Sequence, residues 1–227
     1  MYLSPQLWLI IIVGVVGFLV QMRLQSVFAK YSKVPFPGGM TGRDVAEKML
    51  RDNGITDVQV VSTRGSLTDN FNPANKTVNL SEPVFGTASV SAAAVAAHEC
   101  GHALQHARGY APLKMRSALV PIVSFSSQWA MWVVLAGIIM INTFPALFYV
   151  GIAMFFVSLL FALITLPVEI NASRRALSWL RSTQMLNEQQ QAQAKQALSW
   201  AAGTYVVAAL GALTTIIYYL GFGRSRN

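Results

Sequence analysis

Four stretches of the chain are almost unbroken in apolar residues, and polar intervals of very different length separate them. The first, residues 2–22, runs through Trp8-Leu9-Ile10-Ile11-Ile12-Val13 to Phe18-Leu19-Val20. At about 1.5 Å per residue, a helix of that length crosses a hydrocarbon core of about 30 Å. Ala118 to Ile141 and Ala146 to Pro167 come next, parted only by Asn142-Thr143-Phe144-Pro145, the pattern of a membrane hairpin with a tight turn. The fourth run is Tyr205 to Gly221, where Tyr218 and Tyr219 suit a membrane interface. No Lys or Arg precedes Arg23, and Gln21-Met22-Arg23 follows the first run in place of small residues. That run is therefore expected to be a retained anchor and not a cleaved signal peptide.

The long polar interval carries a different periodicity. Residues 23–116 hold seven of the nine acidic residues of the chain. After the breaker cluster Pro35-Phe36-Pro37-Gly38-Gly39, Thr41-Gly42-Arg43-Asp44 has the form of a capping box. It predicts a short amphipathic helix with Val45, Ala46, Met49 and Leu50 inward, ended by Asn53-Gly54. Val58 to Val61 and Thr77 to Leu80 read as two strands of a small hairpin, with Asn70, Asn72, Pro73 and Asn75 in the turn between them. An edge strand of this kind can hold an extended peptide, or simply cover a neighbouring helix. From Ser89 to Arg108 the chain is rich in helix formers and free of proline, so one continuous helix is expected before Gly109 and Pro112.

Composition agrees with a membrane protein: 54% of the 227 residues are hydrophobic, only 11% are charged, and the mean hydropathy is +0.46. The net charge of +8 does not suggest nucleic acid, because the Lys and Arg residues are scattered along the flanks of the apolar runs with no basic stripe interleaved with aromatics. Their distribution bears on orientation instead. Four spans put residues 23–116 and 168–204 on one side. Arg23, Lys30, Lys33, Arg108, Lys114, Arg116, Arg174, Arg175 and Arg181 flank the membrane there, against Arg224 and Arg226 on the other. By the positive-inside rule the large polar module is cytoplasmic. A single cysteine, Cys100, forms no internal disulfide and is compatible with that compartment.

All three histidines of the chain fall within nine residues: His98-Glu99-Cys100-Gly101-His102, then His106. On a helix, positions i and i+4 share a face, so His98 and His102 can reach one metal ion with Glu99 beside it. In this H-E-x-x-H spacing two neutral imidazoles bind zinc, and the glutamate takes a proton from activated water. His106 lies about 12 Å of rise beyond His98, so an unbroken helix keeps it off the same ion. A catalytic zinc needs a third protein ligand and an open position. Cys100 points away around the helix, which leaves the carboxylates. Glu169, in Leu166-Pro167-Val168-Glu169 at the mouth of the third span, stands out because an acid there is costly unless paired or metal-bound. Pairing with Arg174 or Arg175 would also satisfy it, and Asp69 and Glu82 are rivals within the polar module, whereas Glu188 falls in a solvated, Gln-rich helix.

Two histidines and a glutamate from a separate, later helix make the gluzincin pattern. Leu67-Thr68-Asp69, Val95-Ala96-Ala97-His98-Glu99 with Gly101-His102-Ala103, Ala111-Pro112-Leu113, Thr165-Leu166-Pro167-Val168-Glu169 and Ala172-Ser173-Arg174-Arg175-Ala176 span nearly the whole chain. Together they resemble the bacterial YugP-type neutral zinc metallopeptidases. The resemblance implies an integral membrane metallopeptidase of the bacterial cell membrane, holding one catalytic Zn²⁺ through His98, His102 and Glu169, with Glu99 as general base. The chain departs from that family at Asn72 and Asn171, where the family tends to carry Asp.

The expected fold is a mainly α membrane protein of about four transmembrane helices with a small α+β, zincin-like cytoplasmic module. Its parts are an anchor at 1–22, the water-facing module at 23–116, a transmembrane hairpin at 117–167, a helix with the third ligand at 168–204, and a last transmembrane helix and tail at 205–227. The expected partners are a protein or peptide substrate and the lipid bilayer, with no nucleic acid; partner membrane proteins are not readable. His106, Tyr110 and Arg175 stand as alternatives for stabilising the oxyanion. A zinc-stabilised scaffold with a closed site and no catalysis is the rival reading.

Overall fold

A computed structural model describes residues 5–224 of the chain; residues 1–4 at the start of the first apolar run, and Arg226 in the tail, lie outside the described residues. The elements are α1 (Pro5–Tyr31), α2 (Gly42–Asp52), β1 (Gln59–Thr63), β2 (Asn70–Asn72), β3 (Thr77–Ser81), α3 (Glu82–Phe85), α4 (Val90–Ala107), α5 (Ala111–Ile139), α6 (Ala146–Ser182) and α7 (Glu188–Arg224). The protein is mainly helical with one small sheet, and α1, α5, α6 and α7 are each long and apolar enough to cross a membrane. It divides into two compact units. One comprises Met115–Leu166 with the segments up to Gln21 and from Gly203 onward; the other comprises Met22–Lys114 and Pro167–Ala202.

In the first unit the helices meet through small residues. A Cβ on Gly137 of α5 would strike the backbone of Phe148 in α6, and one on Gly151 would strike that of Val134, so these two glycines let the arms of the hairpin close. Val134, Phe148, Ile152, Leu159, Ile216 and Tyr219 form the core between them. Large apolar side chains such as Ile12, Phe18, Trp132 and Ile139 point outward. That inversion of the usual pattern suits lipid as solvent.

The second unit is ordered the conventional way. Thr41 and Asp44 form the capping box of α2, each side chain meeting the other's backbone, and Gly54 leaves the helix at φ 72°. Val45, Ala46, Met49 and Leu50 pack on the alanine-rich face of α4, with Val78, Leu80, Trp179, Leu180 and Leu198 completing the core. Short alanines allow close helix approach, and Ser89 caps the N-terminus of α4 by accepting from Ala92 N–H.

Two expectations change. Residues 58–61 and 77–80 do not make a hairpin: β1 pairs in parallel with β3, in register from Gln59 with Thr77 to Thr63 with Ser81. The connecting stretch, expected as turn, contributes β2, antiparallel to β3 on its other side, giving the order β1-β3-β2. Only the last part of that stretch turns, where Asn72 Oδ1 accepts from Ala74 N–H and Lys76 takes φ 53°. The segment 168–204 is likewise not a separate helix. It is the end of α6, a turn around Gln184 (φ 52°), and the beginning of α7, because Pro167 is accommodated within α6 without ending it.

Candidate metal centre

Two segments of the second unit build the site, residues 98–105 of α4 and 168–175 of α6. Gly101 explains how closely they meet. A Cβ there would lie 2.5 Å from the Ala172 carbonyl oxygen and 3.1 Å from its carbon, so only glycine permits this crossing. The x between Glu99 and His102 in the motif is therefore constrained on one side: Gly101 faces α6, while Cys100 turns into the core and donates to Ala46 O at 3.5 Å. Burial pushes the Cys100 thiol well above its usual pKa, which keeps it protonated and inert as a ligand.

On the facing side, His98 Nε2 lies 3.1 Å and His102 Nε2 3.4 Å from the same oxygen, Oε2 of Glu169. The two imidazoles stand edge to face with centroids 4.8 Å apart. His98, His102 and Glu169 are the one group of three metal-binding side chains among the described residues whose donor atoms all fall within 4.8 Å. Tetrahedral zinc with bonds of about 2.0–2.1 Å sets neighbouring donors about 3.3 Å apart, so two nitrogens and one carboxylate oxygen at these separations fit the ion. The remaining ring nitrogens are occupied as such a site requires: His98 Nδ1 meets Ser173 Oγ at 3.0 Å, and His102 Nδ1 meets Gln105 Oε1 at 3.0 Å.

Glu99 is buried next to this group, and burial pushes its carboxyl up to about 7, opposed by His98 and assisted by the charges of Glu169 and Asp69. The Phe71 backbone N–H of β2 acts weakly against that rise. β2 is thus the edge strand that runs past the site. A carboxyl poised near neutrality beside a metal-binding triad is suited to moving a proton.

The other candidates separate cleanly. Asp69 accepts from both the backbone N–H and the hydroxyl of Ser81, at 2.8 and 3.0 Å, and so ties β2's approach to the end of β3. Glu82 is exposed in the first turn of α3. His106 is exposed and packs on Phe71, ring centroids 5.6 Å apart, outside the triad. Arg175 donates its Nε–H to Asn171 Oδ1 at 2.7 Å. Asn171 also accepts from Gln105 Nε2 at 3.0 Å, two bonds that an amide oxygen can take as a carboxylate would. Gln105 and Ser173 escape a reading of the sequence because neutral polar residues carry no signature. Their spacing was the available signal: Gln105 lies one turn beyond His102 and Ser173 one turn beyond Glu169.

Comparison with known proteins gives the family of the chain. No solved structure matches the chain. The "Putative membrane protease YugP" of Bacillus subtilis (strain 168) is 40% identical over 214 residues, covering 93% of this chain and 94% of that protein. A family profile described as "Putative neutral zinc metallopeptidase" matches residues 6–224. With the match running through all four apolar helices and both halves of the triad, the chain belongs to that family of zinc metallopeptidases.

Proposed function

We propose that this protein is a membrane-anchored zinc peptidase in which His98, His102 and Glu169 hold one catalytic ion and Glu99 is the general base. The observation that carries the reading is the convergence of three donors on one point, with a buried, near-neutral carboxyl beside them and no fourth protein ligand among the described residues. A structural zinc would be closed by four protein ligands. When bound, zinc supplies Lewis acidity, polarising the scissile carbonyl and acidifying the attacking water. Glu99 receives the proton of that water on its carboxylate and passes it to the departing amine nitrogen. Ser173 and Gln105 keep the two imidazoles turned toward the ion.

The substrate is a protein or peptide bound in extended form. β2 has β3 on one side only, and its Phe71 packs on His106 of the helix that carries Glu99, so a strand added at that edge would carry its peptide bonds past the base. The nine basic residues that flank the apolar runs on the site's side support a cytoplasmic active site in a bacterial membrane, and nucleic acid has no part in the reading. The test is Glu99→Gln in full-length protein in detergent or liposomes. It is expected to retain one equivalent of zinc and to lose casein cleavage by at least about 100-fold, the scale of a general base. Cleavage at the wild-type rate would refute the mechanism, and a variant without zinc would show that Glu99 serves the metal instead.

A further inference from the structure

The position of one proton in the site is decided away from the metal, by a chain of hydrogen bonds with no ambiguous member. Arg175 has only donors to offer. Its Nε–H, 2.7 Å from Asn171, therefore requires the oxygen of that amide, Oδ1, to face it. The same oxygen lies 3.0 Å from the amide nitrogen of Gln105, and the backbone carbonyl of Val168 lies 2.8 Å from that same nitrogen. Between two acceptors Gln105 must present its NH₂ group. Turning the amide over would set its oxygen against both and leave a fully buried polar group without partners, at the cost of a buried unsatisfied acceptor. With Nε2 so committed, Oε1 is the atom that meets His102 Nδ1 at 3.0 Å, and an oxygen there can only accept. His102 must carry a proton on Nδ1, and Nε2 is the ring nitrogen that faces Glu169, 3.4 Å away.

We propose that Arg175, Asn171 and Gln105 form a relay that holds the Nδ1 proton of His102, with Gln105 as the positioning residue that makes Nε2 the nitrogen offered to a metal ion. The inference rests on the metal site proposed above. His98 provides the contrast. Its Nδ1 meets the Ser173 hydroxyl, which can donate or accept, so nothing equivalent commits that ring. The task of position 171 is to accept twice, and the amide oxygen of Asn171 does so without adding a charge.

The experiment uses full-length protein labelled with ¹⁵N-histidine. With three histidines in the chain, the side-chain spectrum of the metal-free protein contains three pairs of ring nitrogens, and His98 and His106 serve as internal references. In the wild type, His102 is expected in the Nδ1–H form. Gln105→Met, of similar length but with no acceptor, is expected to mix the two tautomers of His102 and to weaken zinc binding about 10- to 100-fold in chelator competition. Asn171→Asp keeps the double acceptor and is expected to stay within about threefold of wild type, while Asn171→Leu falls in the same direction as Gln105→Met. Should Gln105→Met fail to fold, the Asn171 pair reads the relay alone. A His102 ring that keeps its Nδ1 proton in Gln105→Met or Asn171→Leu overturns the relay, as does unchanged zinc affinity in both. Wild-type protein that holds no zinc would instead sink the metal site, and the tautomer measurement would still decide the relay.

Discussion

The two halves of the metal centre are unequal. In the proposed site, residues 98–105 of α4 would supply two ligands, the base and the glycine of the crossing, all at spacings dictated by one helix. Residues 168–175 of α6 supply a single ligand, Glu169, yet they also provide Ser173 against His98, the Val168 carbonyl and Asn171 against Gln105, and the Ala172 backbone against Gly101. On the proposed reading the first half would perform the chemistry and the second half would aim it. A helix can place donors one turn apart unaided, but it cannot orient an imidazole; that takes partners from another element.

This asymmetry can be broken most severely at Glu169. Glu169→Ala removes the only ligand from α6, and zinc affinity in chelator competition is expected to fall by more than about 100-fold, since even outer partners of a ligand cost 10- to 100-fold. Retention of tight zinc by that variant would mean that α4 alone suffices and the division of labour is wrong. A milder break lies at the crossing. Gly101→Ala puts a methyl group 2.5 Å from the Ala172 carbonyl oxygen. Overpacking of this kind costs about 1–3 kcal/mol, against about 1 kcal/mol gained in helix propensity. The variant is expected to melt lower than wild type and to lose zinc affinity as well, because parting the helices separates Glu169 from both histidines. A higher melting temperature with unchanged zinc binding would show that the two halves need not touch so closely.

The smallest effect sharpens the role of Glu99 within the α4 half. Burial disfavours the charge and pushes the Glu99 carboxyl up to about 7 from its ordinary 4.5. The folded state therefore binds the extra proton between those values. The stability contributed by protonation is full below about pH 4.5 and is lost as the pH rises through about 7. Gln carries no such charge at any pH. Thermal unfolding after chelation should find Glu99→Gln more stable than wild type at pH 8, with the gap shrinking steadily toward pH 5; a gap that does not change with pH would place the carboxylate in a more hydrated setting.

The same inequality governs what could be read from the chain. The α4 half follows from the i, i+4 spacing of His98 and His102 and from an uninterrupted run of helix formers, so its geometry is local. Glu169 emerged by scarcity, as an acid beside an apolar run in a chain with no spare histidine. The partners that aim the ligands left no trace, since Gln105, Ser173 and Asn171 are ordinary polar residues until two helices bring them together. The apolar spans were evident from length and hydropathy. Sheet order was not: Asn70-Phe71-Asn72 has the composition of a turn and becomes a strand only because β3 offers it an open side. Pro167 suggested a helix end, but α6 continues through it to Ser182.

The packing of Cys100 has a practical consequence. Its thiol faces Ala46 in a sealed interior and is held in the unreactive form, so the native chain is silent toward maleimides while folded. A reporter cysteine placed at an exposed position such as Ser66 would then be the reactive thiol in an otherwise unaltered enzyme. Labelling intact cells with a membrane-impermeant reagent, before and after lysis, would assign the sidedness of the unit that holds the candidate metal centre without first engineering α4.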